Sequence, residues 1–171
     1  MEIRQIQNII LQKTYTKTDY LRRVTFIREY LENKMYKNPD FNFLDFLTQK
    51  NVSRSDRDAL SNLDGNFFNL FTVDNLYLII NGLTDLLKAL PVLTLYLAVI
   101  LDDDQMDQLG IWFRKNLNPE LIIDMRINPG LVSGCAYVWN NQYKDLSFHN
   151  FISQKQSLIN KIIDSYAQEQ L

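Results

Sequence analysis

A chain of 171 residues is long enough for one domain of ordinary size or two small ones. Hydrophobic side chains at 46% against 22% charged exclude a disordered chain, and 18 basic against 20 acidic residues argue against nucleic acid as a partner. The single cysteine, Cys135, has no internal disulfide partner, and with His149 as the one histidine most zinc sites are removed, as are the Ser-His and Cys-His dyads unless His149 is itself the base.

In chain order, the opening residues lack the long apolar stretch and cleavage site of a signal peptide and read as a helix carrying Ile3, Ile6 and Ile10 on one face. Tyr20, Val24, Ile27 and Leu31 repeat that spacing. Thr16 with Asp19, and Ser53 with Asp56, have the form of helix starts, a hydroxyl capping free amides and an acid favouring the positive end. Pro39 is expected to open a short helix with Phe43, Leu44, Phe46 and Leu47. Gly65 and Asn66 are expected to interrupt the chain before Phe67, Phe68, Leu70 and Phe71, and Asp74 to begin a helix reaching about Leu90. The stretch 75–101 is the most apolar, yet it contains Asp85, Lys88 and Pro91, and its uninterrupted part, 90–101, is shorter than the roughly 20 residues a bilayer requires. No membrane span is expected.

After Pro91 the period changes. The run 92–100 reads as a strand buried on both faces. Asp102 and Gln105 predict a capped helix with Met106, Leu109, Phe113 and Leu117 inward, ended by Asn118 and Pro119. Leu121, Ile123, Met125 and Ile127 alternate with Ile122, Asp124 and Arg126, so a second strand follows. A third is placed at 135–139, with Asn140 and Asn141 reversing the chain and a short strand allowed around Tyr143. A final helix carries Phe148, Phe151, Ile152, Leu158, Ile159, Ile162, Ile163 and Tyr166 on one side. The expected fold class is α+β: an N-terminal bundle of five or six short helices over 1–90 and a small β-α-β-β-α domain over 91–171.

Asp102, Asp103, Asp104 and Asp107 form the one cluster with the oxygen ligands that Mg²⁺ or Ca²⁺ prefers, although acids at a helix start also stabilise its dipole without any ligand. His149 beside Phe148 and Phe151 reads as a half-exposed ring packed on aromatics, and Cys135 as a small hydrophobe in a strand. There is no glycine-rich loop followed by Lys-Ser or Lys-Thr, so nucleotide binding is not expected.

The string Asn128-Pro129-Gly130-Leu131-Val132-Ser133-Gly134, preceded by a strand, an acid-capped helix and a strand, resembles the delta subunit of F-type ATP synthases, the family that includes the mitochondrial oligomycin-sensitivity-conferring protein. That family carries an Asp-Pro-x-Leu-x-Gly-Gly signature here and an Asp-x-Ser before its last helix. Pro129, Leu131, Gly134, Asp145 and Ser147 fall on the matching positions, while Asn128 stands for the signature acid and Ser133 for its first glycine. Residues 37–60 and 67–88 are similar to parts of the family's helical domain, whereas the usual Tyr-Ala-x-Ala-Leu opening is absent. The resemblance implies a non-catalytic stator subunit with no cofactor and no bound metal. Its helical domain would hold an alpha subunit at the crown of the catalytic head. Its second domain would hold the b subunits of the peripheral stalk, at the cytoplasmic face of a bacterial inner membrane or in an organelle. For a groove accepting a partner helix, the candidates are Ile6, Ile10, Phe67, Phe68 and Phe71, each also suited to the core. The alternatives are an unrelated adapter and a metal-dependent enzyme using the acids of 102–107.

Overall fold

The computed structural model describes the backbone of residues 3–169 and the side chains of 3–165. Tyr166, expected on the apolar side of the last helix, lies outside the described side chains. The described chain is α+β, with eight α-helices and a four-stranded mixed sheet. Before Pro91 come α1 (Ile3–Leu11), α2 (Lys17–Tyr36), α3 (Phe43–Gln49), α4 (Arg54–Leu60), α5 (Gly65–Phe68) and α6 (Leu76–Leu87). After it come β1 (Val92–Leu97), α7 (Asp103–Asn116), β2 (Ile122–Ile127), a 3-10 turn (Pro129–Leu131), β3 (Gly134–Trp139), β4 (Gln142–Ser147) and α8 (Phe148–Glu169).

Two of the expected helix starts are built from the residues that announced them. Thr16 Oγ1 accepts from Asp19 N–H at 3.0 Å to cap α2, and Ser53 Oγ accepts from Asp56 N–H at 3.1 Å to cap α4. Three starts move. Pro39 lies in a turn, and Asn42 caps α3 by accepting from Leu44 N–H at 2.8 Å. Gly65 begins α5 rather than interrupting it, because Asp64 takes Phe67 N–H at 3.0 Å. Asp74 is passed over and α6 starts at Leu76; Asn75 directs its Oδ1 to Thr72 N–H instead.

The contact pattern divides the chain into two compact units, Met1–Val92 with Asp102–Ile123, and Leu93–Leu101 with Asp124–Leu171. The first cut falls close to Pro91, but α7 and its exit segment group with the helices and not with the expected second domain. In the helical unit, α1 and α6 approach so closely that a Cβ on Gly82 would fall 2.6 Å from Ile3 Cδ1. Tyr20, fully buried, donates from its hydroxyl to Leu83 O at 3.2 Å, and burial pushes that phenol up to about 12. Tyr30, Phe43 and Phe68 form a triangle of rings with centroids 4.7–4.8 Å apart, the tilted geometry aromatic pairs favour.

In the sheet unit the strand order is β2-β1-β3-β4, with β1/β3 and β3/β4 antiparallel. β1 ends at Leu97, opposite Cys135, and beyond it Val99 and Ile100 are exposed, so the apolar run continues past the end of the strand. Within β1 only Leu93, Leu95 and Leu97 are buried; Thr94 and Tyr96 are half-buried, which replaces the expected burial on both faces with alternation. β2 departs the other way: Ile122 and Ile123 are both fully buried, while Ile127 is exposed. On α7 the buried residues are Met106, Gly110 and Phe113, with Leu117 exposed. Asn140 and Asn141, at φ of 50° and 61°, make the reversal between β3 and β4, and Tyr143 lies in a full strand.

Candidate functional site

Asp102 and Gln105 form a reciprocal capping box at the start of α7: Gln105 N–H donates to Asp102 Oδ1 at 2.8 Å and Asp102 N–H to Gln105 Oε1 at 3.1 Å. Asp103 and Asp104 occupy the first turn, where acids offset the dipole. With Lys13, Tyr15, Arg54 and Asp58 these acids line an open cleft of about 660 Å³. Burial raises the Asp107 carboxyl above its ordinary range, and the charge of Arg23 acts against that rise. Among the described residues no group of three or more His, Cys, Asp or Glu side chains is placed to hold a metal ion. Asp102→Ala is therefore expected to lower stability by about 1 kcal/mol through loss of the cap. Asp103→Asn with Asp104→Asn should change it less, and Mg²⁺ or Ca²⁺ should leave the wild-type Tm in place. A metal-induced Tm rise that the double variant abolishes would favour the enzyme alternative.

The five groove candidates lie in the core, the other place the sequence suited them to. Ile6, Ile10, Phe67, Phe68 and Phe71 are each 1–6% exposed and belong to the core of the helical unit. On the single turn of α5 both Phe67 and Phe68 are buried, Phe67 tilted against Phe71 and Phe68 edge-on to Tyr30 and Phe43.

The signature residues, in contrast, meet in one place. Pro129 opens the 3-10 turn, Asn128 Oδ1 accepts from Gly130 N–H at 3.1 Å, and Leu131 is buried beneath the turn. Gly134 has φ of +85° and pairs with Ser147; a Cβ there would fall 2.6 Å from Leu146 O. Asp145 accepts from Ser147 N–H at 2.8 Å, which together with the Ser147 hydroxyl holds its carboxyl below the usual range. Ser147 Oγ accepts from Asn150 N–H at 3.2 Å, and Phe148 N–H donates to Ser133 O at 3.0 Å. Two stretches separated by a hairpin thus converge on the first turn of α8. Cys135, next to Gly134, is half-buried, and burial pushes its thiol up, which makes it a poor nucleophile. His149 is exposed on α8.

α8 runs for 22 residues from that junction. Its apolar side is open: Phe148, Phe151, Leu158, Ile162 and Ile163 are 47–59% exposed and Ile152 36%. A stripe of this size left in solvent is the usual mark of a protein interface.

The helical unit holds a cluster that the spacing of the sequence does not announce. Arg23, 2% exposed, donates to Asp56 at 2.9 Å, to Thr14 Oγ1 at 2.8 Å and to Lys13 O, and Arg22 bridges Asp56 and Asp19 at 2.6 Å. Arg114 on α7 donates to Leu11 O and Thr14 O at 2.6 Å and to Leu121 O at 3.0 Å, with its guanidinium 4.8 Å from the Tyr15 ring. Ile123 N–H donates to Tyr15 O at 2.8 Å. The carbonyls of the α1–α2 connector are thereby shared out between two arginines and a strand, and this fixes α7 and the start of β2 to the helices. Gly110 allows it, since any Cβ there would fall on the Tyr15 ring. No protein-family model matches the chain, and no curated protein matches it.

Proposed function

We propose that the chain is a delta-type stator subunit of an F-type ATP synthase, a non-catalytic adapter with its helical part on an alpha subunit and its sheet domain on the b-subunit stalk. The observation that carries this reading is the meeting of Gly134, Asp145 and Ser147 at the root of α8, the helix with the uncovered apolar side, with Pro129 and Leu131 in the 3-10 turn that leads into β3. A stator needs stiff geometry and broad contacts in place of a nucleophile. A strand start at Gly134 that admits no Cβ, a capped helix start and an open apolar stripe supply both. The clamped α1–α2 connector supports the same reading, because it ties α7 into the helical unit through charge-assisted hydrogen bonds instead of a soft linker.

Among the described residues no helix is long and apolar enough to cross a membrane, so the proposed place at the membrane is peripheral, through the assembled complex. The test is affinity purification of the full chain from its own cells. Recovery with synthase alpha and b subunits is expected. Recovery with a different assembly that contains neither would end the proposal.

A further inference from the structure

Along α8 the apolar residues recur at steps of three and four, Phe148, Phe151 and Ile152, then Leu158, Ile159, Ile162 and Ile163. This is the spacing at which one helix presents a seam to another helix, since knobs separated in this way fit the holes of a facing helix. The position that would continue the seam between Ile152 and Leu158 is Lys155, exposed like its neighbours. The other described charges of the helix, Lys161 and Asp164, fall away from the seam by the helical repeat. One positive charge thus sits in the middle of an apolar face.

That position decides what can cover the face. Lys155 is midway along the described stripe, so a second copy laid parallel in register brings Lys155 against Lys155, and so does a second copy laid antiparallel with full overlap. Both arrangements desolvate two like charges. An apolar helix without a counter-charge leaves the ammonium buried and unpaired, which is also unfavourable. A helix that offers a carboxylate at the centre of its own seam satisfies both the stripe and the charge.

We infer that α8 docks an amphipathic helix of a different protein, one carrying an Asp or Glu in its apolar seam opposite Lys155. The inference deepens the adapter reading, on which it rests only for the identity of that partner.

The experiment uses the full chain and labelled synthetic amphipathic peptides matched to α8 in length, with leucine and isoleucine at steps of three and four. The central seam position is either Glu or Lys, and binding is read by fluorescence anisotropy. The Glu peptide is expected to bind about tenfold or more tighter than the Lys peptide, as a close interfacial charge pair allows. Lys155→Glu should reverse that preference, while Phe151→Ser with Ile162→Ser abolishes binding of both. Circular dichroism of each variant should match wild type, because all three positions are exposed in the free chain.

Equal binding of the two peptides overturns the inference. So does dimerisation of the wild-type chain, seen by sedimentation over the concentration range of the peptide titration, and so does uptake onto anionic phosphatidylglycerol vesicles with no peptide bound. No synthase subunit enters the assay. A reversed preference without recovery of b subunits from cells would remove the adapter reading alone, and recovery of b subunits with no charge preference would remove this inference alone.

Discussion

Asp56→Ala is expected to destabilise the helical unit by about 3–5 kcal/mol, because it strands Arg23 as a buried charge without a counter-ion. Both side chains of that pair are 2% exposed. Arg23 would keep its bonds to Thr14 and Lys13, yet none of these carries negative charge. Asp56→Asn tests the same point with less change of volume, since it keeps an oxygen acceptor and removes only the charge. Replacing Arg23 and Asp56 together by apolar residues of similar size should cost less than either single change, which separates the lost charge from lost packing. Urea unfolding of wild type, the single variants and the double variant at neutral pH gives the comparison.

The same pair has a signature in acid. Burial alone would raise the Asp56 carboxyl, but hydrogen bonds from Arg22 and Arg23 and their positive charges outweigh it and hold the carboxyl below its ordinary value. A carboxylate depressed in the folded state contributes stability that is fully present above its unfolded value of about 3.9 and is lost as pH falls through the lower folded value. Wild type should therefore lose stability below about pH 4 more steeply than Asp56→Asn. Equal slopes would mean that the pair is not ionised as the geometry requires.

Asp56 also illustrates what could be read from the sequence. Its place three residues after Ser53 marked a helix start, and that reading holds. Its pairing with Arg23 joins positions 33 apart, and nothing in local spacing encodes it. The same holds for Arg114, whose carbonyl partners Leu11 and Thr14 lie about a hundred residues away and draw α7 into the helical unit although the hydrophobic period changes at Pro91. The caps at Thr16, Ser53 and Asp102 and the asparagine reversal were legible because each is satisfied within a few residues, whereas the equally local caps at Asn42 and Asp64 were masked by the neighbouring Pro39 and Gly65.

Strand limits were less so. The apolar run past Leu97 has the composition of a strand, but the β3 partner begins only at Gly134, so pairing stops. Periodicity also located the apolar side of α8 and could not say whether anything covers it. Phe67, Phe68 and Phe71 suited a groove and a core alike by their spacing, and only the ring contacts among them and with Tyr30 place them in the core.

Gly134→Ala tests the link between the signature turn and α8. The residue sits at φ +85°, where a side chain brings a strain of about 1–3 kcal/mol before any contact is considered. The added methyl would also stand 2.6 Å from Leu146 O and 3.0 Å from Ser147 Cα. Both are backbone atoms of the paired strand, so no rotamer relieves the clash and β4 itself must shift. Ser147 then moves away from Asn150 N–H, and Phe148 N–H from Ser133 O, the two bonds that fix the direction in which α8 leaves the sheet. The expected result is a lowered Tm together with loss of α8 binding to its partner helix, even at temperatures where the variant is still folded. Asn128→Asp is the control: it keeps an oxygen acceptor for Gly130 N–H, so neither Tm nor binding should fall. A Gly134→Ala protein that is destabilised but binds as wild type would show that the turn serves stability alone and leaves the placing of α8 to the helix itself.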